Sequence, residues 1–511
     1  MDGVSGCNFS EAASAVGSAE DGRAIRQSLA VSDTEEKVVS DGKQGASKAQ
    51  ERRDRGMLDH ESLRVLHQAL GELDAGFAKL PEFESSAPDL ERFADVLAAT
   101  AERLQDNYPY FHPLYAGQML KPPHPVARMA YSLAMWVNPN NHALDGGRAT
   151  SAMEKEAVAE IAGMFGWTNF LGHLCGGGTM ANLEALWVAG QLHPGKKILA
   201  SEQAHYTHGR ISGVLQLPFE SVPTDVLGRM DMDALAKRLE REDVGTVVAT
   251  MGTTATGSVD PLPKILALRE KHGFRIHVDA AYGGYFVLAE NLERSAAQAF
   301  EQIGKADSIV IDPHKHGLQP YGCGCVLFRD PGVGRLYKHD SPYTYFSSAE
   351  LHLGEISLEC SRPGASAAAL WATQKLLPLK KAGEFARGLE NGRKAAVALF
   401  EKLKTNSQFV TAFAPELDIL VFAPRGNSVI ETSALSRKVF DAAARHDLHL
   451  AVAELPLHFW ERDLGGMKRD RDTLTCLRSV LMKPEHLEWA DRIWGLLLQA
   501  TSEVLAGRAS L

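Results

Sequence analysis

Short apolar runs alternate with amphipathic segments along the chain from about residue 150 onwards. The amphipathic segments, such as MDALAKRLERE and LPKILALREKHG, repeat their apolar residues at helical spacing. The apolar runs have the length and composition of buried strands: KILAS, TVVATM, RIHVDAAY, SIVID and GCVLF. Buried strands separated by helices predict an α/β fold, in which helices flank both faces of a largely parallel sheet.

The same patterning predicts how the chain is organised. Residues 1–55 consist mainly of Ser, Ala, Gly and charged residues and predict a disordered tail. Residues 56–145 hold two segments with helical spacing, followed by a proline- and aromatic-rich loop. Residues 146–390 contain the predicted sheet and form the large domain. Residues 391–511, with LDILVFAP, LHLAVAEL and TLTCLRSVLM, predict a smaller α+β domain at the C-terminus.

Composition narrows the choice of partners and location. Of the 511 residues, 54 are Lys or Arg and 64 are Asp or Glu, and the net charge of −10 argues against a nucleic-acid or anionic-membrane partner. The six cysteines show no paired CxxC spacing, so we expect reduced thiols and no metal site. The N-terminus lacks the features of a secretory signal, and the longest apolar stretch, 126–137, contains Arg128. We therefore expect a cytoplasmic protein.

Two glycine-bearing segments follow predicted strands, where ligands gather in parallel α/β sheets. In LCGGGTMANLEALWVAG, three glycines open the backbone and Thr179 stands at the start of a helix, an arrangement that favours a phosphate. In HVDAAYGG, Asp279 follows an apolar strand and needs a cationic partner, such as a protonated ring nitrogen. The structural alternatives are a tight turn before a helix and a buried Asp bonded to backbone amides.

Two further predicted strands are followed by basic residues. SEQAHYTHGR begins just past KILAS, and His205 is a candidate for stacking on a planar ligand or for a structural role. In SIVIDPHKHGLQPYGCGCVLF, Lys315 lies beside His314, and a lysine whose pKa is lowered can condense with an aldehyde. A phosphate loop, a partner for a ring nitrogen, a stacking histidine and a Schiff-base lysine together predict a site for pyridoxal 5'-phosphate.

These motifs also resemble those of a known family. The chain carries, in this order, GGGTMANLEAL, SEQAHY, VATMGTTATGSVDP, HVDAAYGG, DPHKHG and SRPGA. It resembles the group II pyridoxal-phosphate-dependent amino-acid decarboxylases of fold type I over about residues 105–480, and most of all the microbial tyrosine and aspartate decarboxylases. The resemblance implies that an L-amino acid is decarboxylated to the amine and carbon dioxide through a Schiff base on Lys315. It also implies a homodimer with the active site at the subunit interface.

The resemblance implies a role for each matching position. Lys315 is implied as the covalent anchor of the cofactor and Asp279 as the partner of the ring nitrogen, with His205 and Ala281 on the two faces of the ring. Gly178 and Thr179 are implied to bind the phosphate. Thr254 is implied near the substituents of the ring, and His314 beside the phosphate and the substrate.

A loop tyrosine is implied as the proton donor to the substrate carbon. Tyr343 and Tyr345, in the segment YKHDSPYTYFSSAELHLGE, are both candidates, and the structural alternative is that they anchor the loop. Further candidates for contact with the substrate are Tyr115, Asn140, His142, Arg362 and Arg478. Each of the two arginines could hold a carboxylate or form a structural ion pair.

Two departures from the family pattern leave alternatives open. The aromatic amino-acid decarboxylases of animals usually read Asn-Pro-His-Lys where this chain has Asp312, and because an Asp would repel a phosphate we do not assign it to phosphate binding. SRPGA, residues 361–365, also resembles the sphingosine-phosphate lyases. The alternatives are therefore another carbon-bond lyase of that kind or an aminotransferase. A binding protein without catalysis is disfavoured, because Lys315 and Asp279 are both intact.

Overall fold

The computed structural model describes residues 58–84, 88–142, 144–338 and 356–509. The predicted tail, residues 1–55, lies outside the described residues, as do Tyr343 and Tyr345. The strands are β1 (Leu171–Cys175), β2 (Lys197–Ser201), β3 (Phe219–Val222), β4 (Val244–Thr250), β5 (Arg275–Asp279), β6 (Ser308–Ile311), β7 (Gly324–Phe328), β8 (Phe409–Thr411), β9 (Ile419–Pro424), β10 (Ala451–Pro456) and β11 (Thr473–Val480).

Helices connect most of these strands. In chain order they are α1 (Ser62–Ala75), α2 (Leu90–Leu104), α3 (Pro125–Met135), α4 (Leu144–Met164), α5 (Gly178–Leu192), α6 (Thr207–Val214), α7 (Met232–Leu239), α8 (Leu262–His272), α9 (Arg294–Glu301), α10 (Gly364–Leu376), α11 (Glu384–Thr405), α12 (Val429–Arg445) and α13 (His486–Ala509). Short 3-10 helices span Gly284–Leu288, Ile303–Lys305, Pro331–Leu336 and Leu457–Trp460. Within the described ranges, no helix combines the length and the apolar character needed to cross a membrane.

A seven-stranded sheet with the order β1-β7-β6-β5-β4-β2-β3 forms the larger layer. Strands β2 to β6 run parallel to their neighbours in this group, whereas β7 is antiparallel to both β1 and β6. KILAS and GCVLF match β2 and β7 residue for residue. The predicted α/β fold with a mostly parallel sheet is therefore confirmed. The apolar pattern misses β3, because most of its residues are only half-buried or exposed.

Helices cover both faces of this sheet, as the alternation along β4 illustrates. Val247 packs on one face, in a core that includes residues of α7 and α8. Val248 packs on the opposite face, in a core with Leu186 of α5 and Ile211 of α6. This alternation follows from the period of two residues in a strand. Because β4 is buried on both faces, its sequence reads as a continuous apolar run.

A separate four-stranded antiparallel sheet has the order β10-β11-β9-β8. Phe422 and Leu477 of this sheet share one hydrophobic core with Leu399, Val439 and Leu497 of α11, α12 and α13. These strands all lie within the range predicted for the smaller α+β domain. The domain boundaries at residues 145 and 390 themselves stay predictions.

The carboxyl ends of the parallel strands bring polar residues to one edge of the larger sheet. Asp279 is the last residue of β5 and pairs in register with Thr250, the last residue of β4. Asp312 follows directly after β6, which is the other neighbour of β5. The topology alone therefore places these side chains next to one another.

Close packing of the turn after β5 fixes the position of this edge. A Cβ atom added to Gly283 would lie 2.1 Å from the carbonyl oxygen of Met251, directly after β4. A Cβ atom added to Gly284 would lie 2.6 Å from the side chain of Ile311. The glycines of HVDAAYGG thus let the turn pack against both neighbouring strands.

We expect Gly283→Ala to destabilise the protein by about 1–3 kcal/mol, because the new methyl group overlaps the backbone at Met251. Gly163→Ala in α4 is the matched control, since a Cβ atom there meets nothing within 4 Å and alanine favours a helix. Urea unfolding of both variants measures the difference. Equal midpoints for Gly283→Ala and the wild type would show that the turn is not tightly packed.

Candidate active site

A cavity of about 510 Å³ opens at the carboxyl edge of the parallel strands. Its lining includes all the positions that the sequence singled out for a cofactor: Gly178, Thr179, His205, Thr254, Asp279, Ala281, His314 and Lys315. Tyr115, Asn140 and His142, by contrast, are not among the residues that line it. The structure therefore brings one set of candidates together and leaves the other outside the cavity wall.

Lys315 pairs with Asp312 at the end of β6. Its Nζ lies 3.0 Å from Asp312 Oδ2, and the lysine is the more exposed partner. The nearly buried Asp312 carboxylate also lies 3.5 Å from the Nε2 atom of His314. Among the described residues, the other carboxylate oxygen of Asp312 has no hydrogen-bond partner. Asp312 therefore belongs to the site, as the residue that orients the lysine.

Asp279 is a buried carboxylate that accepts hydrogen bonds from several groups of the protein. His208 Nε2 lies 2.8 Å from its Oδ2, and Asn182 Nδ2 lies 3.4 Å from the same oxygen. The backbone N–H of Ala281 donates to Oδ1 at 3.1 Å. Burial alone would raise the pKa of the Asp279 carboxyl, but the hydrogen bond from His208 and the interaction with the basic groups around the carboxylate hold this pKa well below its usual value. Asp279 is therefore ionised.

Hydrogen bonds on the side away from Asp279 set the orientation of the Asn182 amide. Its Oδ1 atom lies 2.8 Å from His277 Nε2, and His277 Nδ1 lies 2.8 Å from the hydroxyl of Ser308. Burial lowers the pKa of His277 to about 3, so the imidazole is neutral at physiological pH. With its oxygen turned to His277, Asn182 presents its NH₂ group to Asp279.

The glycine loop before α5 has the character of an anion site. Gly177 has φ of +143°, a conformation that favours glycine, and α5 begins at the next residue, with residues of its first turn lining the cavity. The N–H of Gly176 already donates to a carboxylate oxygen of Glu359 at 2.9 Å. Behind the loop, a Cβ atom on Gly324 would lie 2.5 Å from the backbone of Gly177. Gly324, the first residue of β7, thus lets this strand pack directly against the loop.

His205 and His314 are imidazoles at the cavity wall, and each has a pKa below its usual value. Burial is the main cause that lowers the pKa of each ring. The Nδ1 atom of His205 lies 2.8 Å from the hydroxyl of Thr207, which orients the ring. A neutral imidazole is suited to lie on an aromatic ring without adding charge to it.

The two candidate arginines differ in their partners. Arg362 forms a buried ion pair with Glu154, with 2.7 Å between Nη1 and Oε1, and is therefore structural. Arg478 donates to the carbonyl oxygen of Thr254 at 3.2 Å and to the side chain of Gln118. Its hydrogen bonds to described residues all go to carbonyl or amide oxygens. Arg478 is thus a cation without a carboxylate partner there, directly behind the residue Thr254 of the cavity wall.

The residues present fit pyridoxal 5'-phosphate. The cavity offers a carboxylate for a ring nitrogen, an amine for an aldehyde and a glycine loop for a phosphate. Three buried polar atoms of its lining residues have no partner among the described residues, as expected where a ligand supplies one: Thr250 Oγ1, Asp312 Oδ1 and His314 Nδ1. The fit is least favourable at the glycine loop, where Glu359 and Asp312 add negative charge.

Sequence reasoning missed three residues of this site. Asn182 lies three positions after Thr179, so the two residues lie on the same side of α5. His208 follows His205 at the same spacing, and this pair of histidines was a usable signal. Glu359 gave no signal, because its contact with Gly176 joins distant parts of the chain.

Comparisons with known proteins agree with this chemistry. The L-tyrosine decarboxylase of Enterococcus faecium is 30% identical over 394 residues, which cover 57% of this chain and 64% of that protein. A probable L-tyrosine/L-aspartate decarboxylase of Methanothermobacter thermautotrophicus is 28% identical over 317 residues, which cover 60% of this chain and 82% of the relative. The chain spans just under two thirds of the length of the curated L-tyrosine decarboxylases that it matches.

Solved structures share the fold. Mouse CSAD superimposes with a TM-score of 0.70 at 20% identity, over 86% of this chain and 91% of that one. The Oryza sativa TDC, solved with PLP and tryptamine, superimposes with a TM-score of 0.68 at 17% identity, over 87% of this chain and 99% of that one. These structures support the α/β fold at low sequence identity.

The family match covers the residues that build the cavity. The model of the pyridoxal-dependent decarboxylase conserved domain matches residues 126–425, more than half of the chain. This range includes the glycine loop, Asp279 and Lys315. The resemblance inferred from the motifs is thereby confirmed, together with pyridoxal phosphate as the cofactor. A matched domain of this extent, built around an intact lysine and carboxylate, means that the chain belongs to the pyridoxal-dependent decarboxylase family.

Proposed function

We propose that this chain decarboxylates an L-amino acid to the amine and carbon dioxide. The observation that carries the proposal is the presence, in one cavity, of the amine of Lys315 and the ionised, buried carboxylate of Asp279. The reaction class is supported by the L-tyrosine decarboxylases among the relatives. Because the alignments span only part of those proteins, the activity and the amino-acid substrate are proposals for this chain.

Several residues that line the cavity have a part in this proposal. Pyridoxal phosphate, when bound, supplies an aldehyde that condenses with amines and a ring that accepts the electron pair left by bond cleavage. Lys315 provides the amine that anchors the cofactor, and Asp279 accepts a hydrogen bond from the protonated ring nitrogen. His205 and Ala281 flank the ring. The proposed contacts to the phosphate, the ring substituents and the substrate are Gly178, Thr179, Thr254 and His314.

Arg478 is the proposed partner of a substrate carboxylate. A buried guanidinium without a carboxylate partner in the described part of the chain is available for one, and a planar fork matches a carboxylate in two hydrogen bonds. Its contact with Thr254 brings it next to the cavity. Tyr343 and Tyr345 remain the proposed proton donors, a role that rests on the family resemblance.

A homodimer is the proposed assembly, with the active site at the subunit interface. Every residue of α2 is exposed, although the helix repeats apolar residues at the spacing of a buried face: Leu90, Phe93, Leu97 and Leu104. Leu63 and Val65 of α1 are exposed as well. An apolar face of this extent needs a partner, and a second copy of the chain is the occupant that the family resemblance implies. The cytoplasmic location stays a prediction from the sequence.

We expect Lys315→Ala to abolish decarboxylation, because no other described residue that lines the cavity carries a primary amine. The wild type and variant are incubated with a panel of L-amino acids that includes tyrosine and aspartate, and carbon dioxide and amine are measured. Borohydride reduction followed by peptide mass spectrometry locates the cofactor on Lys315 in the wild type, and Lys305→Ala, at the sheet periphery, is the control.

Other products would decide against the proposal. Formation of a keto acid without carbon dioxide would identify an aminotransferase, and release of an aldehyde from a phosphorylated substrate would identify a lyase of the sphingosine-phosphate kind. Cofactor still bound to a lysine in Lys315→Ala would reject the anchor.

We expect Arg478→Met to lower kcat/KM by about tenfold to hundredfold, mainly through a higher KM, because a charge-assisted hydrogen bond is worth about 1.5–3 kcal/mol. Arg362→Met is the contrasting control. Loss of the Arg362 guanidinium breaks the buried pair with Glu154, and we expect it to lower the midpoint of thermal unfolding. An unchanged KM in a well-folded Arg478→Met protein would exclude the carboxylate role.

We expect the double variant Phe93→Glu with Leu97→Glu to be monomeric, because two carboxylates on the apolar face of α2 oppose its burial. Light scattering after size-exclusion chromatography gives the mass of each form. Asp95→Lys changes the same exposed helix at a polar position and should leave the dimer intact. A wild type that is monomeric at micromolar concentration would contradict the assembly.

A further inference from the structure

His208 and Asp279 form a buried pair behind the cavity. The distance of 2.8 Å from His208 Nε2 to Asp279 Oδ2 is the shortest from any side-chain donor to this carboxylate, and both side chains are almost completely buried. His208 is the second residue of α6, and its backbone N–H donates to the carbonyl oxygen of His205. One helical turn therefore carries both the histidine at the cavity wall and the histidine that reaches Asp279.

The two ring nitrogens of His208 have different surroundings. Because Nε2 faces a carboxylate, this nitrogen carries the proton. Among the described residues, the buried Nδ1 atom has no hydrogen-bond partner. His208 thus donates one hydrogen bond to Asp279 through Nε2.

The second side-chain donor cannot replace His208. Asn182 turns its NH₂ group to Asp279 because its oxygen is held by His277, but its distance of 3.4 Å makes a weaker hydrogen bond. The third donor, the N–H of Ala281, engages the other carboxylate oxygen. The charge and the orientation of Oδ2 therefore depend mainly on His208.

We propose that His208 is a positioning residue that keeps Asp279 ionised and oriented, so that the ring nitrogen of bound pyridoxal phosphate stays protonated. This inference rests on the proposed function, because it assigns to Asp279 the ring nitrogen as its partner. His208 itself lies outside the residues that line the cavity and acts only through the carboxylate. Replacing its imidazole should therefore change the state of the ring nitrogen.

The molecule provides a matched control for a purely structural role. His173 and Glu184 form another buried pair of a histidine and a carboxylate, with 2.9 Å between Nε2 and Oε2, although His173 Nδ1 also lies 2.8 Å from the carbonyl oxygen of Leu174. Neither residue lines the cavity. Loss of His173 therefore reports what removing a buried histidine does to the fold alone.

The direct test reads the ring nitrogen by NMR. The wild type, His208→Phe, His208→Gln and His173→Phe are each loaded with pyridoxal phosphate labelled with ¹⁵N in the ring, without substrate. We expect the ¹⁵N shift of a protonated ring in the wild type and in His173→Phe, and a shift towards the unprotonated ring in His208→Phe. His208→Gln keeps an N–H donor and should restore the wild-type signal.

A kinetic test measures whether His208 acts on catalysis through the ring nitrogen. In His208→Phe we expect kcat to fall by about tenfold to hundredfold, the loss that follows from one hydrogen bond to a buried charge, while KM changes little. A cofactor analogue with CH in place of the ring nitrogen removes the group on which His208 acts. With this analogue, the wild type and His208→Phe should therefore turn over at the same rate.

Each outcome decides the inference. A protonated ring in His208→Phe, or the same fractional loss of kcat with the analogue as with the natural cofactor, would overturn it. If His208→Phe does not fold, His208→Gln and His208→Asn are compared, and equal ¹⁵N shifts in these two would overturn it, because only the longer amide reaches Asp279. The NMR result stands even if no amino acid is decarboxylated, whereas a wild type that binds no pyridoxal phosphate would overturn both proposals.

Discussion

The ionised carboxylate of Asp279, buried at the end of β5, is the constraint on which the organisation of the site depends. A charge in such a place is unstable unless hydrogen bonds or an opposite charge compensate its lost hydration. The chain supplies donors from separate elements: the turn after β5 gives the Ala281 N–H, α5 gives Asn182 and α6 gives His208. The carboxylate thus constrains the relative positions of these elements. A positively charged group of a bound ligand would complete the compensation of its charge.

The charges of the cavity are compensated unequally. Lys315 is paired with Asp312, while the glycine loop offers backbone dipoles and no basic side chain for a phosphate. Such a loop binds anions through N–H groups and the helix terminus, and here Glu359 already engages one of these N–H groups. A phosphate bound at this loop would therefore be held by backbone N–H groups more than by net positive charge.

The sequence predicted the sheet and most of the cavity because both follow from local patterns. Continuous apolar runs identify buried strands, and polar residues directly after them must meet at one edge, which is how Asp279 and Lys315 were found. The contacts of Glu359 and Arg362 were beyond such reasoning, because they depend on how distant segments pack. The two arginines could be distinguished only when their partners were known, since an ion pair depends on three-dimensional position.

The neutral state of His277 has a consequence for the stability of the whole protein in acid. In the unfolded chain this histidine takes up a proton near its ordinary pKa of 6.5, whereas in the fold its pKa is about 3. Between these values the unfolded state binds more protons, so the free energy of unfolding decreases as the pH falls below about 6.5. His277, which orients the Asn182 amide at neutral pH, therefore lowers the stability of the folded protein in acid.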